Sequence, residues 1–151
     1  MNSLFKPFFF VLILMCVTSF AQADTLLKDI NGQTITFSSL KGKWVLINYW
    51  ASWCKSCVDE IPELNLFYQK HKNDPVALFA VNYDALPLYK QKRLINELQI
   101  KYPSLSTDPA MALGLGDILG VPVTFIINPQ GKLIDRLYGG QSIKNLDAAI
   151  S

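Results

Sequence analysis

Two apolar runs without polar alternation dominate the middle of the chain. WVLINYW occupies residues 44–50, and VALFAVNY occupies residues 76–83. A half-exposed strand alternates apolar and polar positions, whereas a strand that is buried on both faces does not. Both runs therefore predict central strands of a sheet that is covered on each side.

Helical spacing follows each of these runs. Apolar residues recur every three or four positions over residues 55–71 and again over residues 87–100, which predicts two amphipathic helices. Lys90, Lys92 and Arg93 are expected on the solvated face of the second helix. We therefore expect its core-facing side chains to be Leu88, Leu94, Ile95 and Leu98.

Turn signals predict two hairpins, one at each end of this region. Asn31-Gly32, a strong short turn signal, joins two short β-prone runs within residues 25–37. Near the other end, VTFIIN (123–128) and KLIDRLY (132–138) are joined by Asn128-Pro129-Gln130-Gly131. The first hairpin lies before the central strands, and the second lies after them.

Short helices complete the predicted architecture. Asp108-Pro109 predicts a helical turn that ends near Gly114 or Gly116, and Ser142 predicts the N-cap of a last helix. Strands that alternate with helices, followed by a hairpin and a helix, predict an α/β fold whose sheet is partly parallel and partly antiparallel. The chain has 151 residues, half of them apolar, which predicts a single domain.

The first 23 residues have the features of an export signal. Lys6 supplies a positive start, residues 8–17 are apolar without interruption, and Ala21-Gln22-Ala23 is a cleavage pattern. Extended to Ala21, the apolar stretch is about 14 residues, roughly 21 Å as a helix, which is short of the ~30 Å hydrocarbon core. We therefore expect a cleaved signal peptide over residues 1–23 and a folded domain over residues 24–151, in preference to a membrane anchor.

Cys16 leaves lipid attachment open as a third fate for this segment, although Met15 is larger than the small residue that a lipoprotein signal places there. If the signal is cleaved, the loss of Lys6 leaves 13 of the 14 basic residues against 12 acidic ones. A net charge of +1 is too small for a nucleic-acid footprint. Export would place the protein in the periplasm, where disulfides persist.

The motif WASWCKSC, residues 50–57, carries the candidate chemistry. Cys54 follows a predicted buried strand and opens a helix, where the first-turn N–H groups and the macrodipole stabilise a thiolate. Lys55 adds a positive charge beside it. The thiolate is the species that attacks a disulfide, and Cys57, three residues on and less exposed, is placed to resolve the resulting mixed disulfide.

Other uses of two cysteines fit less well. A structural zinc site needs four ligands, whereas residues 24–151 offer two cysteines and one histidine. A purely structural disulfide between Cys54 and Cys57 would close a very small loop and gain little. A cysteine protease needs a histidine partner, and we expect His71 to be a solvated residue at a helix end. We predict no metal, and no cofactor other than a redox-active Cys54–Cys57 disulfide.

These residues resemble the thioredoxin superfamily, and more closely its TlpA/ResA/DsbE group of exported thioredoxin-like proteins. The resemblance extends from about Lys28 to Leu146 and is carried by WVLINYW, WASWCKSC, Asp59-Glu60-Ile61-Pro62 and GVPVTFIINPQGKLIDRLYGG. It implies a thioredoxin-like fold, a mixed sheet flanked by helices, with the N-terminal hairpin and a strand-helix insertion within residues 72–105. It also implies a cis bond before Pro122, and a substrate groove beside the cysteines formed by Trp53, Val121 and Pro122.

The resemblance also assigns a proton acceptor. Thioredoxins carry a buried aspartate six residues before the first cysteine, but this chain has Asn48 there. In ResA-like proteins a glutamate three residues after the second cysteine has that duty, and Glu60 matches it. Cys57 and Glu60 are i, i+3 neighbours on one helix face. The alternative for Glu60 is a solvated acid near the helix start.

The large apolar residues of the motif and of the predicted strands divide into two groups. We expect Trp53 to cover the sulfurs and to present the substrate. The remaining members are expected in the core: Tyr49, Trp50, Phe125 and Ile126.

The function implied is thiol-disulfide exchange in the periplasm. The leading hypothesis is a monomeric reductant of selected disulfide-containing exported proteins, which include apocytochromes c before haem attachment, re-reduced by a membrane thiol transporter. An oxidant that introduces disulfides during folding remains open. A metal-handling module on the same fold, and a peroxidase, are more distant alternatives.

Overall fold

A computed structural model of the protein describes residues 24–151. The predicted signal peptide, residues 1–23, lies outside the described residues. The elements, in chain order, are β1 (Leu26–Lys28), β2 (Thr34–Thr36), a 3₁₀ turn (Phe37–Leu40), β3 (Trp44–Trp50), α1 (Lys55–Lys70), β4 (Val76–Asn82), α2 (Leu88–Glu97), β5 (Ser104–Leu105), α3 (Ala110–Leu113), β6 (Val123–Ile127), β7 (Leu133–Tyr138) and α4 (Ile143–Ala149).

The main sheet has five strands in the order β5-β4-β3-β6-β7. Strands β3, β4 and β5 run parallel, whereas β6 and β7 are antiparallel to their neighbours. The central strand β3 is buried at six of its seven residues, which confirms the prediction from its continuous apolar composition. The N-terminal hairpin pairs β1 with β2, and β4 and α2 lie within residues 72–105, as predicted.

The side chains of β3 alternate between two cores, because successive residues of a strand point to opposite faces. Leu46 and Trp50 pack on the face that α1, α2 and α4 cover. Val45, Ile47 and Tyr49 pack on the other face, against the N-terminal hairpin and the segment around Leu115. Asn48 shares the face of Leu46 and Trp50, so its amide points toward α1.

Helix α2 departs from its predicted pattern at its first residue. Leu88 was predicted to face the core, but 45% of its surface is exposed. Gln91 is buried instead, and its Nε2 donates to the carbonyl oxygen of Leu86 at 2.6 Å. Helical spacing identifies the inward face of a helix, but it does not guarantee that the end of that face meets another element.

His71 also departs from its prediction. It ends α1, and its side chain is only 14% exposed rather than solvated. Its two ring nitrogens lie 2.7 Å from Asp74 Oδ2 and 2.8 Å from Asp147 Oδ1. Asp147 belongs to α4, so this contact joins the first and last helices of the described domain.

The helices within residues 24–151 are all too short or too polar to cross a bilayer.

Candidate active site

The cysteine pair lies where the central strand gives way to α1. The chain leaves β3 at Trp50, and Cys54 is the N-cap of α1, with its Sγ accepting a hydrogen bond from the Cys57 N–H at 3.2 Å. The two residues are joined by a disulfide, with 5.2 Å between their Cα atoms. Cys54 retains 7% of its surface and Cys57 none, so Cys54 is the sulfur that an incoming disulfide can reach.

Lys55, in the dipeptide between the cysteines, has a weaker electrostatic effect on Cys54 than the sequence suggested. Lys55 Nζ lies 2.6 Å from Asp59 Oδ2, and both side chains are largely exposed. A solvated and already paired cation has a weak effect on a neighbouring sulfur. The hydroxyl of Ser56 lies 3.5 Å from Cys54 Sγ. The stabilisation available to a Cys54 thiolate therefore comes mainly from the helix N-terminus and the Cys57 N–H.

The loop before β6 lies against Cys54. The Val121–Pro122 bond is cis, as the resemblance implied. The carbonyl oxygen of Val121 is 3.6 Å from Cys54 Sγ, and the carbonyl oxygen of Pro122 accepts a hydrogen bond from the Gly139 N–H at 2.9 Å. The chain therefore brings Val121 to the accessible sulfur, across 67 residues of sequence.

Glu60 is a buried acid held by two donors. It is 3% exposed, so the alternative of a solvated helix acid was wrong. Its Oε1 accepts from Asn48 Nδ2, and its Oε2 accepts from the Gln141 N–H, both at 2.8 Å. Burial raises the pKa of Glu60 to about 6, against the lowering effect of these two hydrogen bonds. Glu60 follows Cys57 by one helical turn, and its role as proton acceptor stays a prediction.

Asn48 is a residue whose part in this site the sequence reasoning missed. The sequence identifies Asn48 only as a position that lacks the acid found there in thioredoxins. Its Nδ2 donates to Glu60 and also to Thr124 Oγ1, at 3.1 Å, on the neighbouring strand β6. A signal was available, because an amide in a strand that is buried on both faces needs hydrogen-bonding partners.

The two tryptophans of the motif have opposite environments. Trp53 is 66% exposed, whereas Trp50 is 1% exposed and belongs to the core beneath α1. The indole Nε1 of Trp53 donates to Asp84 Oδ1 at 2.8 Å. The core placement predicted for the other aromatic and apolar residues is confirmed for Tyr49, Phe125 and Ile126.

Metal ligands do not cluster in the described part of the chain. Within residues 24–151, no three histidine, cysteine, aspartate or glutamate side chains come together as a set that could hold an ion. The side chains that the site does contain are the two sulfurs, the buried Glu60 carboxyl and the exposed Trp53 indole.

Comparisons with known proteins agree with this geometry. Residues 20–136 match the AhpC/TSA family. The thiol-disulfide oxidoreductase ResA of Bacillus thuringiensis is 30% identical over 119 residues, which are 79% of this chain and 68% of that protein. ResA of Bacillus subtilis is 32% identical over 113 residues, 75% of this chain and 63% of that protein.

A solved structure extends the comparison to three dimensions. StoA from Bacillus subtilis matches with a TM-score of 0.70 and 25% identity, over 84% of this chain and 96% of that chain. Its similarity supports the thioredoxin-like fold of the mixed sheet and its flanking helices. The chain therefore belongs to the AhpC/TSA family, as a thioredoxin-like thiol-disulfide oxidoreductase of the ResA type.

Proposed function

We propose that the protein reduces disulfides in selected exported proteins, using Cys54 as the attacking sulfur and Cys57 as the resolving one. The observation that carries the proposal is the placement of the Cys54–Cys57 pair at the start of α1, with Cys54 Sγ 3.6 Å from the Val121 carbonyl oxygen. A polypeptide that docks along this loop would bring its own disulfide to the accessible sulfur.

The reaction begins with the reduced pair. The Cys54 thiolate attacks one sulfur of the substrate disulfide, a new S–S bond forms, and the other substrate sulfur leaves as a thiolate that takes up a proton. Cys57 then attacks Cys54 Sγ, which breaks the mixed disulfide and releases the second substrate thiol. Two electrons pass to the substrate, and the enzyme is left with the Cys54–Cys57 disulfide.

Glu60 serves the second step in this proposal. Cys57 must lose its proton before it attacks, and it has no exposed surface through which water could take that proton. Glu60 lies one helical turn away, and its pKa of about 6 leaves it mostly ionised at neutral pH and able to accept. Trp53, Val121 and Pro122 form the surface against which the substrate chain lies.

The compartment and partners follow from the N-terminal segment and from the chemistry. In this proposal residues 1–23 direct export and are removed, and the domain acts in the periplasm. It is proposed to act there as a monomer. A disulfide reductant there consumes its thiols at every turnover, so it needs a membrane thiol transporter to reduce Cys54–Cys57 again. Apocytochromes c, whose paired cysteines must be reduced before haem attachment, are proposed as substrates.

Capture of partners in cells tests this function. Cys57→Ser should accumulate mixed disulfides on Cys54, because a serine hydroxyl cannot resolve them, whereas Cys54→Ser should capture little. We expect C-x-x-C-H cytochromes among the captured proteins, together with a mostly reduced wild-type enzyme. A broad set of secreted proteins with a mostly oxidised enzyme would instead identify a folding oxidant. Failure of the exported Cys57→Ser variant to capture any protein would contradict the proposal.

A further inference from the structure

The exposed indole beside the cysteines is tied to a loop that the exchange reaction does not use. Trp53 precedes Cys54 and exposes 66% of its surface, which would leave its ring free to rotate. Its Nε1 donates to the Asp84 carboxylate at 2.8 Å. An indole N–H can only donate, and the side-chain oxygen of Asp84 supplies the acceptor that it needs.

The loop that carries Asp84 is itself fixed by buried amides. Asn82 is 7% exposed, and its Oδ1 accepts from the Leu86 N–H at 3.2 Å. Gln91 is 5% exposed, and its Nε2 donates to the Leu86 carbonyl oxygen at 2.6 Å. At the start of the loop, the Tyr83 N–H donates to the Trp50 carbonyl oxygen at 2.8 Å.

The backbone of this loop adopts a conformation that side chains disfavour. Ala85 has φ = 48°, in the left-handed region, which costs an alanine about 1–2 kcal/mol. Such a conformation persists where the surroundings impose it, and here Asn82 and Gln91 hold the next residue, Leu86, on both its N–H and its carbonyl. Asp84 therefore has a defined place that does not depend on Trp53.

We propose that Asp84 is a positioning residue, which holds the Trp53 indole in one orientation so that it presents a fixed apolar face to the polypeptide being reduced. This inference rests on the proposed exchange reaction at Cys54. A polypeptide substrate would then find the indole already ordered, instead of having to order it at each encounter. A small disulfide that reaches Cys54 without touching the indole would gain nothing from this arrangement.

Two variants separate positioning from general stabilisation of the loop. Asp84→Ala removes the acceptor, whereas Asp84→Asn removes the charge and keeps an oxygen that can accept the indole N–H. Single-turnover rates of the reduced proteins are measured with insulin, a protein disulfide, and with hydroxyethyl disulfide, a small one. Thermal unfolding confirms that each variant is folded.

We expect Asp84→Ala to raise the half-saturating insulin concentration about 3- to 10-fold, the effect of having to order one freed side chain on binding. Its limiting rate, and its rate with hydroxyethyl disulfide, should match those of the wild type, and Asp84→Asn should bind insulin like the wild type. The inference is overturned if Asp84→Ala leaves insulin binding unchanged, if it slows the small disulfide equally, or if Asp84→Asn is as impaired as Asp84→Ala.

A spectroscopic readout decides the same question without catalysis. The emission of Trp53 is obtained as the difference between each protein and its Trp53→Phe version. We expect the fluorescence anisotropy of this component to fall in Asp84→Ala and to be kept in Asp84→Asn, and equal anisotropy in both would overturn the inference. If the wild type reduces neither disulfide, the proposed function fails, and the anisotropy still tests the role of Asp84.

Discussion

The side-chain amide of Asn48 donates a 2.8 Å hydrogen bond to the carboxylate of Glu60, and so joins the central strand β3 to the helix that carries both cysteines. Neither residue has appreciable contact with solvent. A buried carboxylate is costly unless donors surround it, and Asn48 is one of two donors that reach Glu60. Thioredoxins have an acid at the position of Asn48. In this protein the residue at that position instead donates a hydrogen bond to an acid on the helix, Glu60.

Removal of the Glu60 carboxylate should slow the resolving step. We expect Glu60→Gln to lower the rate of mixed-disulfide resolution at pH 7 by roughly 100-fold, the lower end of what a positioned general base contributes. Below about pH 6 Glu60 is protonated in the wild type, so the difference should shrink there. Stopped-flow measurement of product release between pH 5 and 8 checks both.

Glu63→Gln is the matched control for this experiment. Glu63 lies on the same helix and accepts a hydrogen bond from the Ile143 N–H at 2.8 Å, near the start of α4 rather than at the cysteines. Its replacement should leave resolution unchanged across this pH range. A rate for Glu60→Gln that equals the wild-type rate at every pH would return Glu60 to a structural role.

Glu60 should also make the stability of the protein depend on pH. Its pKa is about 6 in the folded protein against a reference value of 4.5, so the folded state favours the protonated form. The corresponding stabilisation is complete below pH 4.5 and is lost as the pH rises through 6. A shift of this size corresponds to about 2 kcal/mol.

Denaturant unfolding of the oxidised protein measures this linkage. We expect the unfolding free energy of the wild type, minus that of Glu60→Gln, to fall by about 2 kcal/mol between pH 4 and pH 7. Subtraction removes the contributions of all other titrating groups that the two proteins share. A difference that stays constant, or that rises with pH, would show that burial does not disfavour the ionised Glu60.

The hydrogen bond from Asn48 Nδ2 should by itself lower the pKa of Glu60. Asn48→Ala removes the hydrogen bond to Oε1, so we expect the pKa of Glu60 to rise from its value of about 6. Carbon-13 NMR titration of the glutamate side chains follows this directly. Thr124→Val is the control, because it removes the other partner of Asn48 Nδ2 while leaving the bond to Glu60 in place. A larger shift in the control than in Asn48→Ala would contradict the assigned hydrogen bond.

Most helices and strands of the fold could be predicted from the sequence, because hydrophobic periodicity, turn residues and cap residues mark them locally. The run at 44–50 is the buried strand β3, and Ser142 caps α4 through a hydrogen bond from the Asn145 N–H to its Oγ. By contrast, β5 has only two residues, which is too few for a pattern to be recognised. The prediction that Leu88 faces the core was wrong, because the exposure of a residue at a helix end depends on which elements pack against it. Sequence periodicity does not contain that information.

The sequence predicted the reactive residues of the candidate site, but it did not predict the hydrogen bonds that hold them in place. Cys54, Cys57 and Glu60 follow one another at three-residue intervals along the first two turns of α1, so spacing alone could relate them. The donor from Gln141 to Glu60 spans 81 residues, and the acceptor for Trp53 lies 31 residues away on another loop. Such contacts depend on how strands and loops are brought together, so the sequence offered no spacing from which to predict them.

Cys54 should react before Cys57 in the reduced protein. It lies at the N-terminus of α1 and accepts the Cys57 N–H, whereas Cys57 is fully buried. We expect the rate of iodoacetamide alkylation at Cys54, measured in Cys57→Ser, to rise with a midpoint below the ~8.5 of a free cysteine. Faster alkylation of Cys57, measured in Cys54→Ser at pH 6, would reverse the assigned roles.

The division of labour between the two sulfurs is tested most directly by the site of the trapped intermediate. Reduced Cys57→Ser is mixed with a disulfide-bonded peptide, and the product is identified by intact mass and by mapping of the modified cysteine under non-reducing conditions. We predict one peptide attached per protein, at Cys54, while the reduced wild type releases the peptide as a dithiol and recovers the Cys54–Cys57 disulfide. An adduct that forms at Cys57 in Cys54→Ser at an equal or greater rate, or the absence of any adduct at Cys54, would contradict the account.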